Sequence, residues 1–260
     1  MKVWAIANQK GGVGKTTTAV TLAGLLSQRG QSTLMVDLDP HGSLTTYFGF
    51  DPDRMEHSVY SLFQNAPHPD PGSLVRPTRY PNLFLLPASS ALATLDRQLG
   101  AREGMGLVLA RALVQGGTRF DHVLIDCPPV LGVLMVNALA ASQQLLIPVQ
   151  TEFLAMKGLE RMLHTLDMIM RARKRPLPYV VVSTMFDRRT QASLESLKML
   201  RDRFPDVLWK SVIPVDTQFR DASQQGAPLS MLNPQARGVI AYTALLNDLL
   251  AGDQAKRAVS

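Results

Sequence analysis

The sequence predicts an α/β fold, a mostly parallel, twisted sheet with helices on both faces. Three observations carry that reading. Short continuous apolar runs alternate with stretches whose apolar residues recur at helical spacing. The first apolar run ends in a glycine-rich turn, KGGVGKTT at residues 10–17, that leads directly into a helical pattern. Of the 260 residues 46% are hydrophobic, which suits one large domain able to bury most of its apolar surface.

Taken in order, residues 3–7 (VWAIA) read as the first strand. Residues 16–29 follow as a helix, with Ala19, Leu22, Ala23 and Leu26 at helical spacing and Gly30 as its stop. Residues 32–36 form a second buried strand that ends in Asp37-Leu38-Asp39. Further strands are expected at 83–86, 122–125, 145–149, 179–183 and 207–213. Helices are expected between them at 91–99, 106–115, 133–141, 154–173, 191–204 and 236–250. The segment 65–81 holds five prolines without periodicity and reads as a surface loop. Residues 1–251 are expected to form one domain, with 252–260 a polar, flexible tail.

Composition narrows the class. No run approaches the roughly 18 apolar residues of a membrane span, and Met1-Lys2 leads into a strand with no signal-peptide pattern. Cys127 is the single cysteine, so no internal disulfide exists and a cytoplasmic setting is expected. The net charge of +6 and a pI near 9.7 suit polyanionic partners, nucleic acid first and an anionic membrane second, and equally suit a slightly basic enzyme.

The turn at 10–17 carries the chemistry. Amides of Gly11, Gly12, Val13, Gly14, Lys15, Thr16 and Thr17 can receive phosphate oxygens, with the positive end of the following helix dipole behind them. Lys15 would reach the β- and γ-phosphates of a bound nucleotide, and the Thr16 hydroxyl would complete a Mg²⁺ shell. Two features depart from the usual Gly-x4-Gly-Lys-Ser/Thr form. Gln9 stands where the first glycine belongs, and Lys10 adds a second lysine at the mouth of the loop. Three acids sit at strand ends. Asp126 closes HVLID, as a metal-orienting Walker-B aspartate does, and Asp37 and Asp39 close the second strand, where a carboxylate near the γ-phosphate can position the attacking water. Taken singly, such aspartates are more often caps or turn residues. Three beside one phosphate loop favour function. Cys127 reads as a small buried residue, since no histidine stands at a recognisable spacing to activate it.

With KGGVGKTT, VDLDPHGS, LIDCPP and IPVQTEFLAMKG in this order, the chain resembles the ParA/Soj branch of the deviant Walker-A ATPases, relatives of MinD and P-loop NTPases of the SIMIBI type. The resemblance runs from about residue 2 to about residue 250. It implies a Mg-dependent ATPase that forms an ATP-bound sandwich homodimer, hydrolyses slowly, and is stimulated by a ParB-like or cargo-adaptor protein. It implies that Lys10 is the signature lysine, reaching across the dimer seam to the partner's nucleotide, that Lys15 binds phosphate, that Asp39 supports the hydrolytic water, and that Asp126, with Asp37, serves the metal region. Adenine is implied to lie near Met185, Pro214 and Asp216.

The resemblance also implies nonspecific DNA binding in the ATP state. Arg189, in MFDRRT, matches a DNA-contacting position of the family, and Arg188 stands beside it. Cations cluster over 161–203, including Arg171, Arg173, Lys174, Arg175, Lys198, Arg201 and Arg203, although RARKR also fits an ordinary basic helix end. The chain departs from the family's IPRNVRLSEAP segment, reading IPVDTQFRDAS. Val215 and Gln218 replace two arginines, and Arg220 appears nearby. HGS stands where chromosome-segregation relatives usually have QGN, so His41 either marks a member with another cargo, such as a chemotaxis complex, or is a neutral swap. No apolar face follows Leu250, so no MinD-like membrane helix is expected. The alternatives are a positioning ATPase that does not bind DNA, a scaffold that scarcely hydrolyses, and a metal- or cluster-assembly P-loop enzyme. The last would typically bring paired cysteines.

Overall fold

The computed structural model describes residues 1–64, 69–95, 104–116, 119–172 and 176–258. Seven strands hydrogen-bond into one sheet: β1 (Lys2–Ile6), β2 (Thr33–Asp37), β3 (Arg76–Pro77), β4 (Leu83–Leu86), β5 (His122–Asp126), β6 (Gln144–Gln150) and β7 (Tyr179–Thr184). Their order across the sheet is β3-β4-β2-β5-β1-β6-β7. Every pair is parallel except β3–β4. The strand sequences explain why. Alternate residues feed two separate cores, so no polar face is left to show water. Trp4, Ile6, Met35 and Leu124 pack on one side, and Val3, Ala5, Leu34, Val36, Val123 and Ile125 on the other.

Helices cover both sides. In chain order they are α1 (Lys15–Gln28), α2 (Ser43–Tyr47), α3 (Pro71–Leu74), α4 (Val108–Gln115), α5 (Val133–Ala141), α6 (Ala155–Ala172), α7 (Gln191–Arg203), α8 (Gln218–Gln224), α9 (Leu229–Leu232) and α10 (Arg237–Ala258). α1 is buried almost all round, because the sheet lies on one flank and α9 and α10 on the other. That explains its missing amphipathic stripe. Gly24 permits the contact with the α9 segment, since a Cβ there would lie 2.5 Å from Pro228 Cβ and 2.9 Å from Ser230 Oγ. Thr18 and Tyr242 join α1 to α10 by a 2.8 Å hydroxyl–hydroxyl hydrogen bond.

Several elements differ from expectation. Residues 207–213 do not form a strand. The segment runs beside β7 with isolated bonds only, Val181 N–H to Val207 O, Trp209 N–H to Val181 O and Ile213 N–H to Ser183 O, each 2.8 Å. Four residues pass from 209 to 213 while β7 advances by two, so exposed Lys210 and Ser211 bulge out of register. The proline-rich segment is more than a loop, since it holds α3 and the antiparallel edge strand β3, where Pro77 costs little. Ser90–Thr94 is a 3-10 helix capped by Ser89, and residues 96–99 of the expected helix lie outside the described residues. α10 continues through Ala258 instead of ending near Leu250.

Gly24→Ala tests the packing of α1. Helix propensity favours the alanine by roughly 0.5–1 kcal/mol, but the clash with Pro228 costs about 1–3 kcal/mol. Urea unfolding is expected to give a less stable variant, and a variant at least as stable as the parent contradicts the packing described.

Candidate active site

Parallel register builds the site. Asp126 is the register partner of both Ile6 and Asp37, so β1, β2 and β5 end side by side. The glycine-rich loop leaves from the end of β1 at this level. Ligands of open parallel sheets bind beyond such carboxyl ends.

The loop takes its shape from two glycines. Gly12 (φ 74°) and Gly14 (φ 89°) adopt left-handed conformations, and Gly14 caps α1 with no side-chain acceptor on the first amides. Gln9 needs no such freedom, because Asn82 and Met185 are the only non-glycine residues with positive φ among the described residues. Its side chain does separate work, with Nε2 donating to Thr165 Oγ1 on α6 at 2.7 Å. Buried Asn8 pins the start of the loop, donating from Nδ2 to Pro148 O at 2.7 Å and accepting from Lys10 N–H at 3.0 Å. Thr184 donates to Val13 O at 2.9 Å from the end of β7. Lys15 is 8% exposed, and its Nζ donates to Lys10 O at 3.4 Å, folding the ammonium back over the loop.

The three aspartates differ in what remains open on them. Asp37 is fully buried and saturated. Its Oδ2 accepts from Thr45 N–H (2.8 Å) and Thr45 Oγ1 (2.7 Å), and its Oδ1 accepts from Asp39 N–H (3.1 Å). Asp126 accepts from the Thr16 hydroxyl on Oδ2 at 2.6 Å, while its buried Oδ1 has no hydrogen-bond partner. Asp39 accepts on Oδ1 from His41 N–H (3.0 Å), and His41 Nδ1 lies 2.9 Å from the same oxygen. Burial pushes the pKa values of Asp37 and Asp126 well above the usual carboxylate range, and their mutual repulsion adds to the rise at Asp126. A hydroxyl, an unpartnered carboxylate oxygen and surplus negative potential form a donor set that fits a hard divalent cation. Among the described residues no cluster of three or more acids, histidines or cysteines stands ready to hold one, as suits an ion ligated largely by water and phosphate.

Beside the loop a 540 Å³ cleft brings Gly14, Thr16 and Thr17 together with Met185, Pro214 and Asp216. Met185 is held left-handed (φ 52°), a conformation that costs a bulky residue of order 1–3 kcal/mol, and its Cε lies 3.8 Å from where a Cβ on Gly14 would sit. The Asp216 carboxylate is already engaged, accepting from Gly238 N–H at 3.0 Å at the start of α10 and from Gln218 N–H at 3.1 Å.

Comparison with known proteins agrees with this geometry. The family model for an AAA domain matches residues 1–178. The chain is 35% identical over 251 residues to the sporulation initiation inhibitor protein Soj of Bacillus subtilis, covering 96% of this chain and 98% of that protein. It is 35% identical over 263 residues to the chromosome partitioning protein ParA of Caulobacter vibrioides, covering 99% and 97%. The chain belongs to the ParA/MinD-type P-loop ATPases. Among solved structures, apo McdA of Cyanothece matches with TM-score 0.85 at 25% identity over 96% of this chain and 99% of that one. A cobyrinic acid a,c-diamide synthase of Mycobacterium smegmatis with bound ATP analog and magnesium matches with TM-score 0.82 at 34% identity over 96% and 94%.

In this ParA/MinD-type ATPase, Lys10 is held within its own chain. Its ammonium pairs with Glu152, in the segment after β6, and withdrawal from water lowers its pKa from the ordinary lysine value. The arginines proposed for DNA do not all meet. Arg188 and Arg189 line a 370 Å³ groove together with Val215, Gln218 and Arg237, whereas Arg220 lines the P-loop cleft, which shares the wall 214–217 with that groove. Arg189 is clamped on Asp187 by Nε (2.9 Å) and NH2 (2.7 Å). Arg171 and Arg203 are paired with Asp167 and Glu160, and residues 173–175 lie outside the described residues. Asn8, Thr45, Glu152, Thr165, Thr184 and Arg237 escaped the sequence reading. Of these only Glu152 carried a signal, standing in IPVQTEFLAMKG.

In the unfolded chain Asp37 and Asp126 lose their protons in the ordinary carboxylate range. In the folded, metal-free protein they keep them to higher pH. The folded state therefore binds more protons in between, and stability falls as pH rises through that window. Melting temperature measured from acid to neutral pH without metal is expected to decline, and Asp126→Asn to flatten the decline. Equal slopes for parent and variant contradict the buried-pair account.

Proposed function

We propose that the chain is an ATP-switched, dimerising ATPase that positions a cargo, acting as one P-loop domain and working in the cytoplasm on the nucleoid or at a pole. The observation that carries this reading is the Thr16 hydroxyl on Asp126, one oxygen of which stays buried and unpartnered, directly after Lys15 in a preformed phosphate loop. Loop amides 11–17 and Lys15 bind the phosphates. Thr16 would ligate Mg²⁺, and Asp126, with Asp37 behind it, would support that ion from the sheet. Magnesium, when bound, offsets phosphate charge and orients the γ-phosphate for attack. Asp39 positions the attacking water. Met185 and Pro214 receive the base.

Lys10 supplies the second cation across the seam between two subunits, where low water content strengthens its attraction to the γ-phosphate. To do so it leaves Glu152. ATP then joins two subunits, and hydrolysis, stimulated by a ParB-like or cargo-adaptor protein, releases them. The groove with Arg188, Arg189 and Arg237 supports nonspecific DNA as the surface read in the ATP state, through phosphate contacts. A second reading, in which the dimer reads a protein scaffold and not DNA, is favoured by Val215 and Gln218 in place of arginines and by the Asp187 clamp on Arg189. A cluster-assembly role has little support. Cys127 is fully buried, and burial pushes its thiol pKa up.

Light scattering with DNA binding, under ATP, ADP and no nucleotide, tests the switch. ATP alone is expected to give a dimer that binds DNA with a log–log salt slope of about −0.9 per phosphate contacted, and Lys15→Ala is expected to give neither. A dimer without DNA binding selects the scaffold reading. A monomer at saturating ATP contradicts the switch.

A further inference from the structure

His41 lies just beyond the end of β2, two residues after Asp39, and touches the carboxylate assigned to the water. Two contacts reach Asp39 Oδ1. The first comes from His41 N–H at 3.0 Å, an Asx-type turn that any residue at this position makes through its backbone. The second involves the ring, with Nδ1 2.9 Å from the same oxygen. With the ring proton on Nδ1, the tautomer that a carboxylate acceptor calls for, this contact is a hydrogen bond donated to Asp39. Oδ1 is then fixed by two donors, and Oδ2 is the Asp39 oxygen with no hydrogen bond among the described residues. The His41 side chain is 81% exposed, whereas that of Asp39 is 14% exposed. The ring is open to solvent and is held by no other hydrogen bond among the described residues.

We propose that His41 is a positioning residue for ATP hydrolysis. Its Nδ1–H fixes the Asp39 carboxylate through Oδ1, leaving Oδ2 to accept from the attacking water. This rests on the reading of Asp39 as the hydrolytic carboxylate. A carboxylate held by the backbone donor alone is less firmly oriented and presents the accepting oxygen to the water for a smaller fraction of the time, so the loss falls on the chemical step and not on nucleotide affinity.

Single-turnover ATP hydrolysis by the full chain with Mg²⁺, together with ATP affinity, tests this. His41→Ala is expected to slow hydrolysis about tenfold with affinity unchanged. His41→Asn, whose amide donor lies near the position of Nδ1, is expected to recover most of the rate. A His41→Ala rate equal to the parent's overturns the proposal, as does an equal loss in the Ala and Asn variants. A parent that releases phosphate while Asp39→Ala does so equally well removes the reading of Asp39 and this inference with it, a result distinct from insensitivity to His41 alone.

Discussion

Two carboxylates buried side by side set the terms for the rest of the structure. Parallel register makes Asp37 and Asp126 neighbours at the ends of β2 and β5. Neither side chain reaches water. Like charges in that setting survive only as neutral acids or beside a cation. The surroundings divide those roles. Thr45 and the Asp39 amide saturate Asp37, so it shapes the loop after β2. Thr16 covers one oxygen of Asp126 and leaves the other unpartnered. A Mg²⁺ ion brought with ATP would take the place of the protons that the buried pair holds without metal.

The same economy explains the unusual loop. A leading glycine is dispensable because the left-handed turns fall at Gly12 and Gly14, which frees Gln9 to tie the loop to α6 through Thr165. The second lysine sits against Glu152. Under the proposed switch that ammonium would exchange one anionic partner, the carboxylate, for another, a nucleotide phosphate.

The sheet and the phosphate loop were legible because their signals are local. Continuous apolar runs, GKTT at a strand–helix junction and aspartates at strand ends each declare themselves within a few residues. The segment 207–213 misled because Val207, Leu208, Trp209 and Ile213 are as apolar as a strand demands, yet only register with β7 decides whether a ladder forms. Pro77 disguised an edge strand. Asn8, Thr45 and Thr165 were invisible for another reason. Their partners lie at Pro148, Asp37 and Gln9, contacts made by the topology and not by spacing along the chain. Arg237 likewise reaches the arginine groove only because α10 begins there. The pairing of Lys10 with Glu152 is the least readable feature, since the family motif supplies both residues but says nothing of their contact.

The central claim is that the buried carboxylate pair and the phosphate loop form one Mg²⁺–ATP site. Calorimetric titration of ATP with and without Mg²⁺, repeated in buffers of different ionisation enthalpy, counts the protons exchanged on binding. The account predicts tight binding only with Mg²⁺, and more protons released by the parent than by Asp126→Asn, because the cation displaces protons from the buried acids. Affinity indifferent to Mg²⁺, with equal proton release in parent and variant, would contradict it.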